Sequence, residues 1–238
     1  MELDIAKQKE LSLLLSRAAD GLDLQQEFLV RGRGHVVGIT ASAGAGKSTL
    51  CDKIIRVLRQ DGSTVAVLAI DPSSPSSGGA YLGDRILMYQ HYLDGGVFIR
   101  SLSSREAKDS SAPNISALVN IASRFADVVL VESPGAGQAD LGIQSAVDTL
   151  IFIPDVNLSA NNLMKAGIHD YAHILAVNIR KEQFDTAKKF AGVLAGFCSE
   201  VNGWKQLVFE LDASTGEGVE ELVRDGICGH SKFISRQN

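Results

Sequence analysis

The sequence predicts an α/β fold in three layers: a mainly parallel sheet with helices on both faces and a short helical extension at the N-terminus. Three observations lead there. Apolar, β-branched runs alternate with helical patterns along the chain. The runs are continuous rather than alternating, as expected of strands covered on both faces. The length of 238 residues suits one α/β domain with a short appendage. A chain of this size buries roughly 70% or more of its unfolded surface, enough for a sizeable core. The expected division is an extension over residues 1–30, a main domain over 31–230 and a tail over 231–238.

The elements follow in order. Residues 4–20 pattern as an amphipathic helix, with Leu11, Leu14, Leu15 and Ala18 on one face. An apolar helical stripe is usually core, so packing on the main domain is favoured over a partner-binding arm. His35–Thr40 (HVVGIT) is a strand. Lys47–Arg59 is a helix, with Ile54, Ile55, Val57 and Leu58 as its apolar positions. Thr64–Ile70 (TVAVLAI) is a buried strand, Val97–Arg100 a short one and Ile115–Phe125 a helix. Asp127–Glu132, Thr149–Pro154 and His173–Asn178 are three more buried strands. Helices fill Asn161–Ile168 and Glu182–Cys198. Leu207–Leu211 and Val219–Ile227 form a last strand and helix.

Composition narrows the partners. Apolar residues make up 45% and charged residues 21%, with a net charge of −5. An acidic chain lacks the general attraction to nucleic acid or anionic membrane that a basic one has. Trp204 and the other aromatics do not interleave with basic residues, so no stacking platform for nucleic acid is visible. Cys51, Cys198 and Cys228 include no CxxC pair, which points to a reducing compartment. Cys228 and His230 fall short of the three or four ligands that zinc takes. His35, His91, His169 and His173 are scattered and are expected to be structural. There is no apolar run of membrane-spanning length and no secretory leader pattern, so the expectation is a cytoplasmic protein.

The chemistry concentrates in one loop. Ala41-Ser42-Ala43-Gly44-Ala45-Gly46-Lys47-Ser48 follows a strand and opens a helix. This is the GxxxxGK[ST] phosphate-loop pattern with Ala41 in place of the first glycine. The glycines let backbone N–H groups curl around phosphate oxygens, and the helix N-terminus adds its positive dipole. Lys47 would reach the β- and γ-phosphates and the Ser48 hydroxyl would ligate Mg²⁺. The nucleotide-binding set is therefore Ser42, Ala43, Gly44, Ala45, Gly46, Lys47, Ser48 and Thr49, in a P-loop NTPase fold. The bland alternative, a glycine-rich turn with an incidental lysine, does not require strand, loop, Lys-Ser and helix in this order. A carboxylate should end a neighbouring parallel strand beside the metal. Asp71 after TVAVLAI and Glu132 after DVVLV both qualify, because the C-terminal ends of parallel strands form the ligand edge of an open α/β sheet.

Further stretches carry a resemblance. Asp71–Arg85 (DPSSPSSGGAYLGDR) and Glu132–Asp140 (ESPGAGQAD), together with the phosphate loop, resemble the MeaB/ArgK-type GTPases, chaperones of adenosylcobalamin-dependent acyl-CoA mutases. The resemblance runs from about His35 to Ile227. It implies Mg²⁺ and GTP/GDP as cofactors and a cobalamin-dependent mutase as partner. It assigns the metal to Ser48, Asp71, Asp84 and Glu132, and catalysis to Lys47, Asp71, Asp84 and Glu132. It makes Gly135, Gly137 and Gln138 a switch beside the γ-phosphate, and Thr215–Leu222 a loop near the base. Lys165 matches a family lysine in a third switch, where Asn161 is more simply a helix cap.

Departures from the family are specific. Its guanine-reading NKxD appears here as Asn178-Ile179-Arg180-Lys181. Asn178 is kept, but the base-stacking lysine is Ile179 and the aspartate that accepts from guanine is Lys181, a donor only. ATP therefore stays in play beside GTP. Arg105–Asp109 replaces another family stretch. A homodimer stays open as a partner, although the chain ends short of the family's C-terminal dimerisation arm. Three readings follow: a nucleoside triphosphatase switch for a mutase, with slow intrinsic turnover; a G-domain scaffold with little or no hydrolysis; and a small-molecule kinase, for which no acceptor pocket is evident.

Overall fold

The structure, a computed structural model, describes residues 3–22, 26–41, 44–72, 88–104, 115–133, 141–157, 167 and 170–237. Helix α1 (Ile5–Ala19) is followed by strand β1 (His35–Ala41), helix α2 (Lys47–Gln60), β2 (Val65–Pro72) and β3 (Val97–Ser104). Then come α3 (Ile115–Phe125), β4 (Val128–Glu132), the single turn α4 (Leu141–Gln144), β5 (Thr149–Ile153) and β6 (Ile174–Asn178). A 3₁₀ turn (Lys181–Gln183) leads into α5 (Phe184–Gly196), the hairpin β7 (Glu200–Val201) and β8 (Trp204–Lys205), and β9 (Leu207–Leu211). Helix α6 (Val219–Glu221) runs on through a π-helical stretch (Leu222–Ile227) into α7 (Cys228–Ser235).

Among the described residues seven strands form one parallel sheet in the order β3-β2-β4-β1-β5-β6-β9. The predicted three-layer fold is present. Helix α2 and the C-terminal helix cover one face, where Ile54, Ile55, Leu222 and Val223 meet Val37, Ile39 and Leu130. On the other face α1 and α3 bury Leu11, Leu15, Leu118 and Ile121 against Val36, Leu68 and Val129. Helix α5 closes that face further along, with Phe190 and Leu194 against Phe152 and Val177. Burial on both faces explains why β4, β5 and β6 are apolar at nearly every position.

The N-terminal helix packs as its stripe predicts. Asp4 caps it, accepting from the Lys7 N–H at 2.9 Å. Arg100 of β3 donates to the Ser12 carbonyl and to the hydroxyls of Ser12 and Ser16.

Some boundaries moved. Strands β2 and β3 extend to Pro72 and Ser104 because they pair with each other there, Asp71 opposite Ser103. The helix expected over Glu182–Cys198 opens with the 3₁₀ turn and stops at Gly196. The C-terminal helix continues past Ile227 to Ser235, into the stretch expected to be a tail. The β7–β8 hairpin was missed, although Asn202-Gly203 is a strong turn signal; both residues have positive φ, 51° and 78°. Of the helix expected over Asn161–Ile168 only Gly167 is described, and its φ of 71° is not helical; Asn161 and Lys165 lie outside the described residues, as do Ser42, Ala43, Asp84, Arg105–Asp109, Gly135, Gly137 and Gln138.

At the sheet edge opposite the phosphate loop, residues far apart in sequence form a buried cluster. His35 opens β1, Thr149 opens β5, His173 precedes β6 and His230 comes from α7. The Thr149 hydroxyl lies 2.7 Å from His35 Nε2 and 2.8 Å from His230 Nδ1, so it donates to one ring and accepts from the other. His173 Nδ1 accepts the Leu150 N–H at 3.0 Å, which places its proton on Nε2. The His173 and His230 ring centres lie 4.2 Å apart with the planes tilted by 33°, and Trp204 packs on His230. Burial depresses both, His173 to about 4 and His230 to about 3, and lowers His35 despite Asp148 3.6 Å away.

Candidate functional site: a phosphate loop with an adjoining cleft

Strand β1 lies mid-sheet, between β4 and β5, so the chain leaving it emerges at the centre of the C-terminal edge. It turns at once into α2. Gly44 and Gly46 take positive φ, 73° and 97°, in the turn. At Gly46 space is decisive as well: a Cβ would lie 2.6 Å from Asn178 Nδ2. No side chain caps the start of α2, whose N-cap is Gly46 itself. Its first-turn amides are thus a ready site for an anion.

Beside that turn β4 delivers Glu132, in register with Ile39 of β1 and only 2% exposed. A carboxylate buried to this degree needs charge and hydrogen-bond compensation. Ser48 supplies a hydrogen bond, its hydroxyl donating to Glu132 Oε1 at 2.6 Å. Lys47 supplies charge, its Nζ 3.8 Å from the same oxygen. The backbone of Asp71 lies on the same edge, near the end of β2 and two strands from β1. Of the expected metal residues, the structure therefore brings Ser48 and Glu132 together, puts Asp71 on their edge, and does not describe Asp84.

A second wall rises from the end of β6. Asn178 Nδ2 donates to the Ala45 carbonyl at 2.9 Å, and Asn178 Oδ1 accepts the Ala213 N–H at 3.0 Å. One side chain thus ties the phosphate loop to the loop after β9. Arg180 donates to the Gly44 carbonyl at 2.5 Å, so two consecutive phosphate-loop carbonyls are held from this wall. Asp212 organises the loop after β9, its Oδ1 accepting from the N–H groups of Ser214 and Thr215 and from the Ser214 hydroxyl. Burial alone would raise the Asp212 carboxyl; these hydrogen bonds outweigh it and hold the group below its ordinary value.

Between these walls opens a cleft of about 470 Å³, lined among others by Gly46, Thr49, Asn178, Lys181, Asp212 and Thr215. A smaller one of about 240 Å³ lies beyond Arg180, bordered by Asp155 and Asn157. Gln183 donates to Asn157 there at 2.9 Å. An anion-binding turn beside a cleft of this size has the layout of a phosphate subsite with a base subsite next to it.

The sequence matches the family described as methylmalonyl-CoA mutase-associated GTPase MeaB over residues 11–237. The chain belongs to the MeaB family. A Pyrococcus horikoshii protein named "Putative GTPase PH0274" is 37% identical over 217 residues, covering 89% of this chain and 68% of the relative. The fused isobutyryl-CoA mutase of Cupriavidus metallidurans is 41% identical over 151 residues, 60% of this chain but 13% of that much longer protein. The crystal structure of a LAO/AO transport system kinase superposes with a TM-score of 0.68 at 19% identity, covering 100% of this chain and 79% of that chain. At that identity the likeness speaks for the fold.

For a MeaB-family member the informative surprises lie in the second wall. Sequence reasoning kept Asn178 as the retained residue of the motif, and the structure makes it a brace with partners on both loops. It missed Arg180, because the motif position that Arg180 occupies is an unspecified one. It also missed Asp212, whose work is done on its own loop. Among the described residues no helix is long and apolar enough to cross a membrane.

Proposed function

We propose that this protein binds a nucleoside triphosphate with Mg²⁺, hydrolyses it slowly, and acts as a switch for an adenosylcobalamin-dependent acyl-CoA mutase. The observation that carries the reading is the convergence of Lys47, Ser48 and buried Glu132 at the turn that opens α2. Phosphate oxygens would be cradled by the amides of that turn and by the Lys47 ammonium. A hydroxyl and carboxylates are the hard oxygen donors that Mg²⁺ takes, so Ser48, Glu132, Asp71 and Asp84 suit it. Bound Mg²⁺ would offset charge on the transferring phosphoryl group. Ser48 would give up its bond to Glu132 to hold the ion, while Glu132, Asp71 and Asp84 would fix its waters. The partner rests on the family and on the fused mutases, which join a related segment to a mutase in one chain. Lys181 on the base-side cleft favours the scaffold as a second reading, since it removes the acid that the family uses there.

The first test is Lys47→Ala. It removes the principal point charge facing the β- and γ-phosphates and is expected to weaken triphosphate binding at least about tenfold. Calorimetric titration with Mg²⁺ present measures this directly. Unchanged affinity in a folded variant would overturn the phosphate-loop assignment. Hydrolysis assayed with and without a mutase separates switch from scaffold.

A further inference from the structure

The base-side cleft differs from a guanine-selective site in two respects, and both concern which hydrogen-bonding groups remain to read a base. Guanine presents N1–H and N2–H donors on one edge and the O6 acceptor beside them. Adenine reverses the pattern at positions 1 and 6. A site that separates them therefore needs a fixed acceptor for N1–H and N2–H, a fixed donor for O6, or both.

The donors on one wall are already engaged. In the loop after β9 the Ala213 N–H donates to Asn178, those of Ser214 and Thr215 to Asp212 Oδ1, that of Gly216 to the Asp212 carbonyl, and that of Glu217 to the Thr215 hydroxyl. From Ala213 to Glu217 each backbone N–H has an internal acceptor. The opposite wall offers donors where an acceptor is needed. Lys181 and Arg180 both line the cleft, and neither side chain can accept a hydrogen bond. Of the two carboxylates lining the cleft, Asp212 uses Oδ1 to hold its own loop, and Glu182 stands exposed on the 3₁₀ turn, next in sequence to Lys181. The phosphate side, by contrast, reads nothing of the base.

We propose that this cleft admits purine nucleotides with little regard to the base, so that ATP is a ligand beside GTP, with Lys181 as the residue that sets the relaxed selectivity. This deepens the function proposed above and rests on it. Binding energy comes from the phosphates and from purine packing in the cleft, and Asn178 serves to brace the two loops.

The test is a competition titration in Mg²⁺ against ribose-labelled fluorescent GTP, with unlabelled GTP, ATP and ITP as competitors. ITP lacks only the 2-amino group, so it isolates the question of whether any carboxylate reads that edge. GTP is expected to exceed ATP by less than about 100-fold and ITP by less than about tenfold, the scale on which one charge-assisted hydrogen bond discriminates. Lys181→Asp is expected to raise both ratios. A wild-type ratio above either bound, or ratios unmoved by Lys181→Asp, overturns the inference; an excess over ITP would point to Glu182 or Asp212 as the reader. If none of the three nucleotides binds, the proposed function falls and the inference falls with it, whereas the ratios bear on the inference alone.

Discussion

Glu132→Gln is expected to lower Mg²⁺-dependent turnover by about 10²–10³-fold, the scale seen when one preorganised group is removed from a charge-stabilising site. Nucleotide affinity is expected to change by less than about tenfold, because the ground-state contacts of Lys47 and the loop amides remain. The argument starts from burial. Glu132 is 2% exposed, and Lys47 and Ser48 both address its Oε1. An amide of the same shape keeps the volume and can still take the Ser48 hydrogen bond. It gives up the negative charge that would orient a hydrated cation and balance Lys47. Charge counts most where charge develops, so the loss falls on kcat and spares binding. Steady-state phosphate release and equilibrium titration on the same preparation separate the two quantities, with a thermal melt to establish folding. Wild-type turnover in Glu132→Gln would make this residue a structural strand end and shift the search to Asp71 and Asp84.

What the sequence disclosed follows from how local each signal is. The turn from Gly44 to Ser48 was legible because it falls within the eight consecutive residues Ala41–Ser48 that lead from a strand into a helix. Glu132 was legible because a strand's last residue lies at the ligand edge whatever its neighbours. Asn178 was legible through a short motif. Arg180 was not: its bond to the Gly44 carbonyl spans 136 residues and depends on how β6 ends two strands away from β1. The engagement of the Ala213–Glu217 amides was equally invisible, since it follows from a loop conformation that Asp212 imposes. The lengths of β2 and β3 were underestimated because partner pairing, not propensity, carries them through polar residues.

The histidines show the limit most clearly, and they carry the other large expected effect. Taken singly, His35, His173 and His230 are unremarkable; the structural role expected of His35 and His173 fits where they lie, and His230, weighed in the sequence only beside Cys228 as a metal ligand, joins them. Three strand starts and a C-terminal helix bring them around Thr149. Burial is the main reason that His173 falls to about 4 and His230 to about 3, each from an ordinary value of 6.5. Charges around the cluster act in both directions: Asp148 raises His35 and His173, while Arg31 lowers His35, His35 lowers His173, and both His173 and His35 lower His230. The sign follows from linkage. The unfolded chain takes up these protons near pH 6.5, whereas the folded chain resists until pH 4 or below. The stability contributed by neutral rings is thus fully present above about pH 6.5 and declines as the pH falls toward the folded values. At pH 5 each ring is expected to have cost about 2 kcal/mol, and the pair about 4 kcal/mol, a large share of a domain's typical 5–15 kcal/mol. Protonation also sets His173 Nδ1–H against the Leu150 N–H that it now accepts. Carboxylates add little in this window, because their unfolded values lie near 4. Urea unfolding at pH 7.5 and pH 5.0 measures the difference, and the double variant His173→Asn, His230→Phe is expected to flatten it. A wild-type change below about 1 kcal/mol would mean that the folded protein accommodates charge at this edge, and that burial of the cluster does not govern its acid stability.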